Sequence, residues 1–311
     1  MLEYLQLRVA LEAVENVELP PYPGSTLRGA FAWALKRSTC VTQEQCDETC
    51  QWPRSCPYGL LTETPIPTTA PGRIQASKFA PHPYVLTPPS SGGLKIAGSP
   101  LSFRLALWGP AIDQAPFVLR ALDDMANQGM GRGRKRLKLV EISDLLSGQE
   151  LLVDGELDFS ALETGSLDLE NDGRDGSHHH LKIQLETPVN LQKRGQMLEE
   201  LSFDELVYYA ADRLYLLTHC HGDPDDAPDA AAWARRARDA DIERIEHRVS
   251  PMSFHRYSGR QQRKHRVQGL TGHAIFSGEI APFLPLLKQA SITHIGKGTS
   301  FGLGRFSLQT E

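Results

Sequence analysis

The sequence predicts an α+β protein of two tandem ferredoxin-like (βαββαβ, RRM-like) domains, each with a glycine-rich loop before its last strand. Three observations predict it. A strand–helix order recurs in both halves of the chain. The succession "APF", helix, glycine-rich loop, basic strand occurs at residues 115–142 and again at 281–309. A polar Gly/Asp/Ser segment separates the copies. One βαββαβ unit per half buries the apolar face of an antiparallel sheet under two helices. The expected boundaries are an N-terminal domain at 1–160, a polar linker at 161–180 and a C-terminal domain at 181–311.

Each element follows from its pattern. In YLQLRVALE, Leu5, Leu7, Val9 and Leu11 alternate with Gln6, Arg8 and Glu12, the period-two signature of a half-buried strand. After a proline-rich turn, GSTLRGAFAWALKR reads as a helix with Ser25 or Thr26 near its cap. SFRLALWG is a strand, APFVLRALDDMANQ a helix, GMGRGR a turn and RLKLVEI the closing strand. In the second half LKIQLE alternates through Leu181, Ile183 and Leu185. SFDELVYYAADRLYLL is a helix whose Ser202 and Glu205 have capping-box spacing. HRVQGLTGHAIFSG is strand-like, APFLPLLKQA a short helix, GKGTSFGLG a second glycine loop and RFSLQ the last strand. His178, His179 and His180 end the linker and read as exposed loop rather than as a metal site.

With 311 residues, 40% apolar and 23% charged, the composition is that of a folded globular chain. No run of about 18 apolar residues predicts a membrane span. No basic-then-apolar leader precedes the first strand, so a cytoplasmic location with reduced thiols is expected. The net charge of −5 hides segregation. Between His247 and Thr310 only Glu279 is acidic, against nine Lys and Arg residues. A second acid-free patch, Gly129–Lys138, carries Arg132, Arg134, Lys135, Arg136 and Lys138. Local charge sets the field that an anionic ligand meets, and both patches adjoin glycine loops.

Cys40, Cys46, Cys50 and Cys56 have the spacing C-x5-C-x3-C-x5-C. Four thiolates this close suit a tetrahedral structural zinc, with an iron–sulfur cluster or unligated thiols as alternatives. The residues between them are polar and bury no core, so a staple for this insertion (40–56) is expected.

The loop HIGKGTSFGLGR, residues 294–305, raises the question of which phosphate it serves. A Walker loop precedes a helix and ends in Gly-Lys-Ser/Thr; here Lys297 comes before most of the glycines and a strand follows. The dinucleotide fingerprint also opens a helix, so neither nucleotide-cofactor motif fits. Two alternatives stay open: a polynucleotide backbone approaching where no Cβ intrudes, with Lys297 and Arg305 on its phosphates, or a loop whose glycines serve packing alone.

IGKGTSFGLGRF resembles the C-terminal glycine-rich motif of the CRISPR-associated RAMP proteins, most closely the endoribonucleases that process CRISPR repeat transcripts. YPGSTLRGAFAWALKR, CPYGLL, PHPYVLTPP and RYSGRQQRK resemble further segments of that family, in family order. The resemblance implies two ferredoxin-like domains, binding of CRISPR repeat RNA, and a metal-independent cut at the 2′-OH that leaves a 2′,3′-cyclic phosphate. It implies no cofactor for catalysis and a CRISPR effector complex as a further partner. The alternative is a non-catalytic RAMP subunit that holds guide RNA.

Such a cut needs a base for the 2′-OH, a cation for the phosphorane and an acid for the leaving 5′-oxygen. The family often places a histidine at or near the first helix of the N-terminal domain; GSTLRGAFAWALKRSTC has none. The expected catalytic set is therefore His294, His255, Tyr257 and Lys297. His82, between prolines, reads as a turn residue, His273 as a strand residue, and His219 and His221 as helix-end residues. Expected RNA contacts are Arg28, Lys36 and Arg37 in the first helix and Arg132 and Arg134 in the first glycine loop. Arg256, Arg260, Arg263 and Lys264 in the basic segment join them, with Gly296, Gly298, Gly302, Gly304 and Arg305 in the last loop.

Overall fold

The computed structural model describes residues 2–42, 46, 50, 55–167, 169, 179–258 and 263–310, with side chains left aside at 256–258 and 263–264. The chain forms two compact units. One comprises Leu2–Ser166 with Cys220–Gly222, the other Leu167–His219 with Asp223–Glu311.

The first unit runs β1 (Leu2–Ala13), α1 (Gly24–Thr39), β2 (Tyr84–Thr87), β3 (Pro100–Trp108), α2 (Ala115–Gln128) and β4 (Leu137–Asp144). The strands lie in the order β2-β3-β1-β4. β1 is antiparallel to both neighbours, with Leu7 opposite Leu105 and Asp144. Alternation decides the face: Leu5, Leu7, Val9 and Leu11 are fully buried while Arg8 and Glu12 are exposed. α1 covers that face with Leu27, Phe31, Ala34 and Leu35, and α2 with Val118, Leu119, Leu122 and Met125, spaced three or four apart. Each of the larger side chains among them contributes about 1.5–3 kcal/mol of burial. The expected Ser25 or Thr26 cap is not used. The helix begins at Gly24, with Pro23 at φ −83° in the cap position and no side-chain cap.

The second unit runs β5 (His180–Val189), α3 (Phe203–His221), β6 (Ile242–Ser258), β7 (Arg263–Gly278), α4 (Leu284–Thr293) and β8 (Phe306–Thr310). Its order, β6-β7-β5-β8, repeats that of the first unit. Ser202 caps α3 as its spacing predicts: the Glu205 N–H donates to Ser202 Oγ at 3.3 Å, one half of a capping box. Leu181, Ile183 and Leu185 face α3 and α4 in a core with Phe203, Phe276, Phe283 and Phe306.

Two features go beyond the expected elements. A helix at Ala230–Asp239 is capped by the Asp229 carboxylate, which accepts from Ala231 N and Ala232 N at 2.9 and 3.0 Å. β6 is 17 residues long and pairs with β7 from Ile242↔Gly278 to Ser258↔Arg263. β7 reaches β5 only as far as Leu270, so the pairs from Met252↔Gly269 outward form a two-stranded ribbon beyond the sheet. Among the described residues no helix is long and apolar enough to cross a membrane.

Candidate active site and nucleic-acid interface

The first unit places a histidine, His82, beside its first helix. His82 lies between Pro81 and Pro83, which favour extended backbone, directly before the edge strand β2. β2 packs beside α1, and His82 Nε2 lies 3.5 Å from Arg28 Nη2 on that helix. Nδ1 is 2.7 Å from Thr64 Oγ1. The Thr64 hydroxyl donates to Leu60 O at 2.9 Å, so the proton of the His82–Thr64 bond belongs to Nδ1. That tautomer leaves the Nε2 lone pair on the Arg28 side. Phe79 and Tyr84 hold the ring, with centroids 6.2 and 5.9 Å away. Thr64 is buried and His82 half-buried, so the imidazole is anchored through Nδ1. A base with its lone pair toward an arginine is what internal transesterification of RNA requires. Reading along the chain gave His82 a turn role. The structure places it before the second strand of the βαββαβ unit, an edge strand beside the first helix.

The same unit gathers the N-terminal basic residues. Gly129–Lys135 closes as a tight turn, with Met130 N to Lys135 O and Lys135 N to Met130 O both at 3.0 Å. A Cβ on Gly129 would meet Arg134 O at 2.4 Å, which is why the turn needs glycine there. The turn sends Arg134 to 4.3 Å from the Trp33 ring, while Arg37 on α1 lies 4.7 Å from the same ring. Arg37, Arg132 and Arg134 are exposed, and Lys36 lies 5.5 Å from the Tyr58 ring. Glu15 pairs with Lys135 and Arg136 at 3.6 and 3.9 Å. The Arg136 backbone N–H, with the Lys135 and Arg136 charges, lowers the Glu15 pKa. Helix and loop residues far apart in sequence thus form one cationic, aromatic surface.

The last glycine loop is occupied by the protein itself. A Cβ on Gly304 would lie 1.9 Å from Ile295 O, and one on Gly296 2.3 Å from Asn190 O. Both glycines have left-handed φ near +80°. Gly304 N donates to Pro188 O and Lys297 N to Asn190 O, at 3.0 and 2.9 Å. Thr187 Oγ1 donates to Gly302 O and accepts from Arg305 N, both at 2.9 Å. Of the two alternatives left open by the sequence, packing accounts for Gly296 and Gly304; Gly298 meets only the flexible Leu303 side chain, at 2.8 Å. Lys297 is exposed and Arg305 half-buried.

His294 is 2% exposed, its Nδ1 donating to Leu303 O at 3.0 Å, and it ends α4 at φ +57°. Burial pulls its pKa down to about 3, against the pull of the Leu303 bond, with Arg305 and Arg213 reinforcing burial. A neutral, enclosed imidazole suits a packing role and not the acid or base role expected of it. Unfolded, it titrates near 6.5. Between about pH 6.5 and 3 the unfolded chain binds a proton that the folded chain refuses, so stability falls as pH falls through that window. His294→Asn, which tolerates left-handed φ, is expected to flatten that fall in a melting series against pH. A series identical to wild type would mean that His294 is not the group responsible.

His255 is exposed on the ribbon, opposite Arg266. Tyr257, Arg256, Arg263 and Lys264 lie on its distal strands, and their side chains lie outside the described residues, as does Arg260 altogether. Cys40, Cys46, Cys50 and Cys56 are half-buried and form no disulfide among the described residues. Burial raises the Cys46 pKa; Lys36 opposes it, and Cys40, Glu63 and Cys50 add to it. Among the described residues no group of three or more His, Cys, Asp or Glu could hold a metal ion, so the structure gives the zinc expectation no support.

Comparison with known proteins bears on both units. A family model described as an N-terminal domain matches residues 2–164, and the model described as CRISPR-associated endoribonuclease Cas6 matches residues 183–306. No curated protein sequence matches the chain. Solved structures share the fold at low identity. A Thermus thermophilus Cas6 is 17% identical with a TM-score of 0.54, covering 99% of each chain. A Cas6 product complex is 17% identical with a TM-score of 0.56, covering 98% of this chain and all of the other. A partial Cas6-RT-Cas1–Cas2 complex is 12% identical with a TM-score of 0.59, and the chain spans 46% of that longer protein.

Proposed function

We propose, from the premise that the chain belongs to the CRISPR-associated Cas6-type endoribonucleases, that it cuts CRISPR repeat RNA in precursor transcripts without a metal. The family is one of RNA-cleaving, CRISPR-associated enzymes. His82 Nε2 takes the 2′-OH proton. The 2′-oxygen bonds to phosphorus as the bond from phosphorus to the 5′-oxygen breaks. The departing 5′-oxygen takes a proton from solvent water, leaving a 2′,3′-cyclic phosphate and a 5′-OH, and His82 returns its proton to solvent. Arg28, 3.5 Å from His82, neutralises charge on the phosphorane oxygens. Arg37, Arg134 and Trp33 bind the flanking strand through phosphate contacts and stacking.

The observation that carries the assignment is the His82–Arg28 pair beside α1. It answers the absence of a histidine from that helix, the feature that favoured a non-catalytic, RNA-holding subunit. RNA is the expected partner. The solved Cas6-RT-Cas1–Cas2 assembly makes a CRISPR complex a second candidate. The test is incubation of the chain with labelled repeat RNA in EDTA, beside RNA carrying one 2′-deoxy sugar at the cut. A single cut, abolished by the deoxy sugar, is expected. Tight binding without cleavage, with or without metal, would leave the RNA-holding role.

A further inference from the structure

The second unit has a cleft of about 440 Å³ that the chemistry above does not use. That volume lies within the range of roughly 300–1,000 Å³ typical of ligand sites. It is walled by the hairpin Gln192–Met197, by α3 and by the helix Ala230–Asp239. Its two carboxylates are neutralised in place: Asp204 by Arg238 at 3.1 Å and Glu205 by Lys193 at 3.3 Å. Two further cations line it, Arg194 and Arg235. Both are exposed, and neither has an ion pair among the described residues. The cleft therefore presents a net positive charge in a chain whose formal net charge is −5.

Arg194 occupies an unusual place. It stands at φ +53° in the two-residue turn closed by Lys193↔Gln196, with Gly195 at φ +81°. That turn favours Asn or Gly at its first position, so an arginine there costs backbone energy. The aromatic wall is Tyr208 and Tyr209, rings perpendicular at 87° with centroids 5.2 Å apart. Burial, with help from Glu205, raises the Tyr209 pKa to about 12, so its hydroxyl stays a donor at neutral pH. Half-buried aromatic faces beside unpaired guanidinium groups suit a base and its phosphates, since stacking accepts any base and arginine accepts phosphate.

We infer that this cleft binds a nucleotide of single-stranded RNA, its base against Tyr208 or Tyr209 and its phosphates on Arg194 and Arg235. The inference rests on the RNA-processing role above and adds a second contact region, in the C-terminal unit. Free nucleotides share the same chemistry, so the test has an arm for each source.

The full chain is titrated by fluorescence anisotropy with a labelled single-stranded RNA octamer across a salt series. Unlabelled nucleoside monophosphates compete in parallel, and repeat-RNA cleavage is followed separately. The double variant Arg194→Gly/Arg235→Ala removes both cations at exposed positions, and glycine relieves the turn. Its log-affinity against log-salt slope is expected to be shallower by about 1.4, the share of two phosphate contacts. Tyr208→Ala is expected to weaken octamer binding about tenfold. Wild-type affinity and slope in the double variant, with cleavage intact, would overturn the cleft while leaving the proposed function standing. Loss of nucleoside monophosphate binding alone would make it a free-nucleotide site and overturn the RNA assignment. A wild-type chain that neither binds nor cuts RNA would overturn both.

Discussion

His82→Ala is expected to slow repeat-RNA cleavage by roughly 10²–10⁴-fold, the span that a positioned general base contributes, without changing RNA affinity or melting temperature. Truncation leaves the Thr64 hydroxyl its bond to Leu60 O, so no buried polar group is stranded. Thr64→Val separates positioning from chemistry. It keeps the side-chain shape but removes the acceptor for Nδ1–H, 2.7 Å away, and frees the imidazole to adopt the other tautomer. The expected result is a loss of about tenfold or more with an altered pH–rate profile, at unchanged melting temperature. Single-turnover rates across pH, with RNA binding measured alongside, read both variants. A wild-type rate in His82→Ala would sink the assignment and return attention to His255 and the ribbon.

Gly304→Ala is the second large effect, and it acts on stability. The new Cβ would sit 1.9 Å from Ile295 O while holding φ +83°. Relief would stretch the bonds from Ile295 N to Gly304 O and from Gly304 N to Pro188 O, both 3.0 Å. Together, strain and overpacking cost about 3 kcal/mol, a drop of roughly 10 °C in melting temperature for a unit of this size. Lys297→Ala in the same loop, at an exposed position, is expected to stay within about 0.5 kcal/mol of wild type. Calorimetry on both variants is the check. If Gly304→Ala melted like wild type yet lost RNA binding, the loop would be shaped for RNA approach rather than for its own backbone.

The sequence by itself determined the architecture, because the rules involved are local. Period-two alternation in β1 and β5, the capping box at Ser202 and the repeated succession at 115–142 and 281–309 each depend on residues a few positions apart. Two βαββαβ units follow, and both sheets have the same order. The helix Ala230–Asp239 was harder to see. Only two of its residues are buried, both alanines, so its apolar stripe is thin. β6 mixes charged and apolar residues because its outer half leaves the sheet as a ribbon, where no core face sorts them.

The proposed site depends on tertiary structure. His82 and Arg28 are 54 positions apart and meet only because an edge strand returns beside the first helix. Arg37 and Trp33 are one turn apart on α1, but Arg134 reaches the same ring only because the turn after α2 closes beside that helix. No pattern in the string carries such a pairing, since it depends on which strands become neighbours. His294 failed in the opposite sense. Its sequence neighbours, glycines and a lysine, suggested a phosphate site, yet the Leu303 carbonyl and the surrounding core enclose it. A glycine in a sequence states that a Cβ is missing. Only the fold states what occupies the space, and at Gly296 and Gly304 it is the protein's own carbonyl oxygens.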